Sequence, residues 1–249
     1  MSKVYAIAHR GFSAAAPENT LSAFEKALEY NPDMIECDVR RTKDGHLIVI
    51  HDATVDRTTN GKGAVAGMTL AELQKLDAGS WFSLDFAGER IPTLNEVLDL
   101  IKDSSTNLII EVKEEHTEGQ VASAVWEKQM SDQVMIASFH YSVGVHLREL
   151  APNIAFIPLK WLAEKADHCE AVRVADEAAA INGSLLGINY TAISPAMVKA
   201  THAANLQLMA WTVDDETDMR NLVEMGVDAI ASNRIDVLSS VLREMNVRI

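Results

Sequence analysis

Short apolar runs rich in β-branched residues alternate along the chain with longer stretches whose apolar positions recur at helical spacing. The strand-like runs are 3–8, 34–39, 108–112, 134–138, 154–157, 186–189, 207–212 and 228–231. The helical patterns cover 20–30, 93–103, 118–130, 141–150, 165–181, 195–204, 215–225 and 234–246. Thr93–Glu96 and Thr117–Gln120 have capping-box spacing at helix starts, as does Thr69–Glu72 before a shorter helix. Eight strands alternating with eight helices imply parallel pairing. At 249 residues the expected α/β architecture is a TIM-type (β/α)8 barrel, one domain over 1–249.

Two stretches break the rhythm. The run 47–50 follows the second strand too closely for a parallel crossover, and Asp44-Gly45 between them signals a hairpin. With that dipeptide as a two-residue turn, Asp38 faces His51. Residues 52–92 carry Asn60-Gly61-Lys62-Gly63 and the aromatics Trp81, Phe82 and Phe86. They read as a small insertion after the second strand and its hairpin.

The apolar fraction of 48% and charged fraction of 23% exclude a disordered or fibrous chain. No apolar run approaches the ~18 residues of a membrane span, and the first apolar stretch is too short for a signal-peptide core. Two cysteines, Cys37 and Cys169, do not make a disulfide framework, so a reducing cytoplasmic setting is expected. A net charge of −14 argues against nucleic acid and stable membrane association. An anionic substrate therefore needs a metal ion or converging cationic side chains to receive it.

Barrels react where their strands end. The first strand ends in His9-Arg10-Gly11, whose glycine permits close backbone approach to a ligand. On the second, Glu36 and Asp38 share one side, with Cys37 turned towards the helices. Such a pair either binds a cation or lies at a solvated strand end, because two buried carboxylates need neutralising. Glu111 and Lys113 repeat the spacing on the 108–112 strand. They read as a buried salt bridge, or as a third metal oxygen beside a phosphate-binding lysine. His51, beside Asp38 in the expected register, makes with His9 an acid/base pair. The all-oxygen set Glu36, Asp38 and Glu111 selects one hard divalent cation, Mg²⁺ or Ca²⁺. Trp211 is placed to stack on a ligand's apolar part or to fill the barrel core. His46, His116, His140, His146, His168 and His202 read as surface or packing residues. The chain has no nucleophile elbow, Walker loop, dinucleotide fingerprint or zinc spacing.

These motifs, in this order, resemble the glycerophosphodiester phosphodiesterase family of the bacterial cytoplasmic type. The likeness runs through His9-Arg10-Gly11, Pro17-Glu18-Asn19-Thr20, Glu36-Cys-Asp38-Val39, Thr42-Lys-Asp44-Gly45 and His51-Asp52. It continues through Asp56-Arg57-Thr58-Thr59, Ile91-Pro92-Thr93-Leu94, Glu111-Val-Lys113, Ser138-Phe139, Asn189 and Trp211-Thr212-Val213. The resemblance implies metal-dependent hydrolysis of a small-molecule glycerophosphodiester to sn-glycerol 3-phosphate and an alcohol. It implies His9 and His51 as general acid and base, Glu36, Asp38 and Glu111 as metal ligands, and Arg10 and Lys113 as phosphate contacts. The attacking hydroxyl is water or the substrate's own glycerol 2-hydroxyl. Asp214 and Ser232-Asn233 depart from the family's pattern, and neither is expected to touch the metal or histidine sets.

Two rivals remain. A lysophospholipase D would run the same chemistry on an acylated substrate and need an apolar groove, for which only Trp81, Phe82 and Phe86 are available. A barrel that merely binds phosphate esters is expected to have lost one of the five acid and histidine positions, and all five are present.

Overall fold

The β-branched runs are strands and the amphipathic stretches are helices. In the computed structural model, which describes residues 3–247, the strands are β1 (Tyr5–His9), β2 (Met34–Arg41), β3 (Leu47–Val49), β4 (Asn107–Val112), β5 (Val134–Ser138), β6 (Ala155–Lys160), β7 (Leu185–Asn189), β8 (Gln207–Trp211) and β9 (Ala229–Ser232). The helices are α1 (Leu21–Leu28), α2 (Leu70–Leu73), α3 (Leu94–Ile101), α4 (Glu118–Glu127), α5 (Tyr141–Leu150), α6 (His168–Ala180), α7 (Pro195–Ala203), α8 (Glu216–Met225) and α9 (Ile235–Glu244). Residues 1–2 and 248–249, the ends of the expected 1–249 unit, lie outside the described residues.

The sheet order is β1-β9-β8-β7-β6-β5-β4-β2-β3, and β1 also pairs with β2. All barrel pairings are parallel, so the eight strands other than β3 close into the expected TIM barrel. Period-two alternation sorts the core into two layers. Ile7, Met34, Ile109, Ile157, Leu185 and Met209 fill the barrel interior. Ala6, Ile35, Cys37, Ile110 and Leu186 point outward and pack under the helices. Cys37 is thus the buried, helix-facing thiol that alternation predicts.

β3 returns antiparallel on β2, but one residue out of the expected register: Val39 faces Val49 and Arg40 faces Ile48. The loop has three residues, Lys43-Asp44-Gly45, between a Thr42 N–H that donates to the His46 carbonyl and a Gly45 at φ +87°. This left-handed third residue is why the Asp-Gly signal gives an odd loop and shifts the register by one. Asp38 therefore lies opposite Ile50, whose N–H donates to the Asp38 carbonyl at 2.9 Å.

Reciprocal capping boxes open α2 at Thr69/Glu72 and α3 at Thr93/Glu96. The expected box at Thr117 does not form; its hydroxyl donates to the Glu114 carbonyl instead. Between β3 and α3 the chain packs around its own small core of Ile48, Ile50, Val55, Val65, Leu73, Ala78 and Ile91.

Arg10 (φ +57°) and Gly11 (φ +81°) turn the chain sharply after β1. A Cβ on Gly11 would meet the Ala23 backbone of α1 at 2.6 Å, so the close approach this glycine permits is to α1, not to a ligand. Gly11→Ala is expected to lower stability by at least about 1–3 kcal/mol. An unchanged midpoint in urea denaturation would show that the turn tolerates a side chain.

Candidate active site

The cluster is assembled by register. His9 on β1 faces Glu36 on β2, and Asp38 two residues on faces Glu111 on β4. All three acids alternate inward at the carboxyl ends of adjacent strands, and they are only 7%, 0% and 8% exposed. One oxygen from each of Glu36, Asp38 and Glu111 lies within 4.8 Å of the others.

Asp38 is the anchored member. Asn19, left-handed at φ +59°, donates from Nδ2 to Asp38 Oδ2 at 2.7 Å and accepts the Asp38 N–H on Oδ1. Arg10 Nε lies 3.1 Å from the same carboxylate and Lys113 Nζ 2.8 Å from its other oxygen. Burial works to raise the Asp38 carboxyl, but the Lys113 and Arg10 charges overcome it and hold the group well below the usual carboxylate range. Lys113 also donates to Glu111 at 2.6 Å.

The other two carboxyls lack that compensation. Burial, then the charges of Asp38 and Glu111, push Glu36 well up, and burial with Asp38 pushes Glu111 to about 7. Glu36 Oε2 accepts the Arg10 N–H at 3.0 Å, while its Oε1 is buried with no hydrogen-bond partner among the described residues. Three carboxylates thus face two cations, and among the described residues the buried Glu36 Oε1 has neither a hydrogen bond nor an ion pair. This donor set fits a divalent metal ion, and its all-oxygen chemistry suits a hard one.

Two imidazoles flank the acids. His9 Nδ1 lies 2.8 Å from Asn233 Oδ1. Asn233 is oriented by its Nδ2, which donates to Asp214 Oδ2 at 2.7 Å, so its oxygen is the atom presented to His9. His9 Nδ1 must then carry the proton, leaving the lone pair on Nε2, 3.9 Å from Glu36 Oε2. Burial and then the Arg10 charge depress His9 to about 4, so it is neutral near pH 7. Asn233 and Asp214, expected to stand apart from the histidine set, are in fact what holds His9.

His51 follows β3 and, despite the shifted register, lines the same cleft as His9, Arg10, Glu36, Glu111 and Lys113. Its Nδ1 lies 2.7 Å from Asp52 Oδ1. Asp52 is in turn held by Arg57, which also binds Glu18, the partner of Arg10. Burial lowers the His51 imidazole, as do the charges of Lys113 and Arg10, while Asp38 and Asp52 counter them.

The cleft measures about 130 Å³. Its acidic and cationic wall comes from β1, β2 and β4, and its apolar wall includes Phe139, Leu159, Met209 and Trp211. Trp211 meets Phe139 edge-on at 5.5 Å and Trp161 at 5.9 Å. Trp161 is exposed. A roomier groove of about 370 Å³ near His46 and Gln120 holds no comparable set of buried ionisable groups. Trp81, Phe82 and Phe86 stack edge-on against one another and do not line the cleft.

The structure therefore brings His9, Arg10, Glu36, His51, Glu111, Lys113 and Trp211 to one cleft, with Asp38 buried against it. The residues that hold them were not singled out from the sequence. Glu18, Asn19, Asp52 and Arg57 sit in recognised motifs. Asn233 and Asp214 had only their departure from the expected pattern as a signal.

Comparison with known proteins agrees with this geometry. Residues 9–237 match the model of the glycerophosphoryl diester phosphodiesterase family. A glycerophosphodiester phosphodiesterase of Caldanaerobacter subterraneus is 41% identical, over 97% of this chain and 99% of its own. One from Bacillus subtilis is 35% identical, over 96% of this chain and 86% of its own. Among solved structures, a phosphodiesterase of Oleispira antarctica in complex with the product sn-glycerol-3-phosphate superposes with a TM-score of 0.85 at 30% identity, covering 96% of each chain. A putative glycerophosphoryl diester phosphodiesterase from Silicibacter pomeroyi gives 0.88 at 26% identity, over 99% of this chain and 95% of that one. With its barrel, its buried acid triad and this likeness along nearly the whole chain, the protein belongs to the glycerophosphoryl diester phosphodiesterase family.

Proposed function

We propose that this barrel hydrolyses glycerophosphodiesters to sn-glycerol 3-phosphate and an alcohol, with one divalent cation, Mg²⁺ or Ca²⁺, held by Glu36, Asp38 and Glu111. The observation that carries the reading is the pair of anchored imidazoles beside a buried, under-compensated acid triad. The product named for the Oleispira antarctica relative supports the substrate class. When bound, the cation supplies positive charge opposite the phosphate's non-bridging oxygens and lowers the pKa of a bound hydroxyl.

The chain's own residues divide the remaining work. Arg10 and Lys113 offset charge that grows on the phosphate, by electrostatics fixed in advance, since both side chains are largely buried and held by Asp38. His9 is kept neutral, with its lone pair on Nε2, and takes the proton of the attacking hydroxyl. His51, held through Nδ1 by Asp52, gives a proton to the leaving alkoxide, and the Asp52 carboxylate counters part of the lowering that burial, Lys113 and Arg10 impose on the imidazole. Phe139 and Trp211 hold the less polar part of the diester away from water. The segment 52–92, which delivers Asp52 and Arg57 to His51, acts as an insertion into a single barrel domain.

His9→Ala and His51→Ala are expected to keep the fold and lose at least about 10² in turnover of glycerophosphocholine. Near-normal turnover in either variant removes that imidazole from the mechanism. The same assay with lysophosphatidylcholine should give far less product, because a cleft of about 130 Å³ has little room for an acyl chain; the reverse preference would make the protein a lysophospholipase D.

Excess chelator is expected to abolish turnover, and Mg²⁺ or Ca²⁺ to restore it. The sign of the pH dependence follows from the raised carboxyls. Without the ion, Glu111 retains its proton up to about pH 7 instead of its ordinary 4.5. A dication must displace that proton, so affinity should climb as pH rises towards about 7 and level off above it. Calorimetry in buffers of different ionisation heat would measure the released protons. Full activity in chelator, or ion uptake with no proton release below that pH, would overturn this assignment.

A further inference from the structure

A second group of metal-ligating side chains lies outside the cleft. His116 is in the loop between β4 and α4, Glu118 opens α4, and His146 is midway along α5. One ring nitrogen from each imidazole and one Glu118 oxygen all lie within 4.8 Å of one another. His146 Nδ1 is 2.8 Å from Glu118 Oε1, and the two imidazoles stack with centroids 5.7 Å apart. Glu118 is only 3% exposed, and its Oε2 is buried with no hydrogen-bond partner among the described residues. Among the described residues no Lys or Arg pairs with it, and its one ion-pair partner is His146.

A buried carboxylate with a single imidazole partner and an unused oxygen is costly unless a proton or cation completes it. Packing alone would place an apolar or amide side chain here more cheaply. From this convergence of two imidazoles and a carboxylate on one point, we propose that His116, Glu118 and His146 form a second metal site, for a borderline transition ion of the zinc class.

The ligand chemistry separates this site from the first. Imidazole suits Zn²⁺, Ni²⁺ or Cu²⁺, whereas Mg²⁺ and Ca²⁺ take oxygen. Two histidines and a glutamate are a three-ligand zinc set, with the fourth position open. Here that position faces solvent, since His116 is exposed. Bonds of roughly 2.0–2.2 Å bring tetrahedral ligand atoms to about 3.4 Å apart. The three ligand atoms lie within 4.8 Å of one another, so binding would require them to shift to that spacing.

The location gives the ion a consequence. The loop that carries His116 begins just after Lys113 and is already tied to its surroundings at two points. Glu114 pairs with Arg40 of β2, and Ser142 of α5 donates to Glu115. An ion shared by His116, Glu118 and His146 would add a third tie, from this loop and α4 to α5.

The test is zinc titration of the full chain in excess Mg²⁺, read by equilibrium dialysis and by the visible spectrum of a Co²⁺-substituted sample. One zinc per chain is expected. His116→Ala should weaken it by at least about tenfold, the scale on which even a ligand's outer partners act, while the Glu36→Gln Glu111→Gln double variant should retain it. His146→Ala strips Glu118 of its partner and risks unfolding, so the exposed His116 carries the decision, with Glu118→Gln as a second variant. Zinc should also raise the thermal midpoint of the parent and not of His116→Ala. Absence of zinc binding, zinc binding unaffected by both His116→Ala and Glu118→Gln, or loss only in the Glu36→Gln Glu111→Gln variant would overturn the site.

Discussion

The burial of three carboxylates at one end of a closed barrel is the constraint on which the rest of the site depends. Like charges in a low-dielectric interior repel and lose their hydration, and the fold tolerates them only with opposite charge nearby. Arg10 and Lys113 provide part of it, and both are held by the acids they compensate. The left-handed turn at Arg10 and Gly11 directs the Arg10 N–H at Glu36 and its guanidinium at Asp38 and Glu18. What remains under-compensated, chiefly at Glu36 and Glu111, is an electrostatic demand of the kind a divalent cation would meet.

The same constraint explains how a chain of net charge −14 can receive an anion. The overall field opposes a phosphodiester, so attraction must be local and short-ranged. Two cations at the barrel mouth are kept close by acids that already use much of their charge. Such a pair would steer an anion over short range only and attract it weakly from afar. Exposed ion pairs elsewhere, such as Arg220 with Glu216 and Glu244, lie on the helices, whereas Arg10 and Lys113 line the cleft itself.

Much of this architecture could be read from the chain. Each of the eight parallel strands lies within about three residues of its apolar run, because period two and period 3.6 are set by backbone geometry. Alternation alone placed Glu36, Asp38 and Glu111 inward and Cys37 outward. The β2–β3 register was misread because Asp-Gly serves both two- and three-residue loops, and only the path of the backbone decides between them. Thr117 had the right spacing for a cap but the wrong backbone, since its φ of −104° and ψ of −13° are already helical. The holders of the histidines were the least legible. Asn233 lies 224 residues from His9 along the chain, and Arg57 is 39 from Glu18, so only closure of the barrel and the path of the insertion bring them together. His116 and His146 read as surface or packing residues, and His116 is indeed exposed; their meeting was not legible because it requires α4 to lie against α5.

The outer flank of β3 has a consequence of another kind. Val49 donates its N–H to the Pro92 carbonyl, and Ile48 bridges to Thr93, so the returning segment occupies the ladder positions that β3 would otherwise expose. The other strands are sealed by closure of the cylinder. Closure leaves no unfinished rim on the cylinder, and the Pro92–Thr93 segment covers part of the one terminal ribbon. Recruitment of a foreign strand is thereby disfavoured, which leaves side chains on the helical shell and around the mouth as the main surface for association.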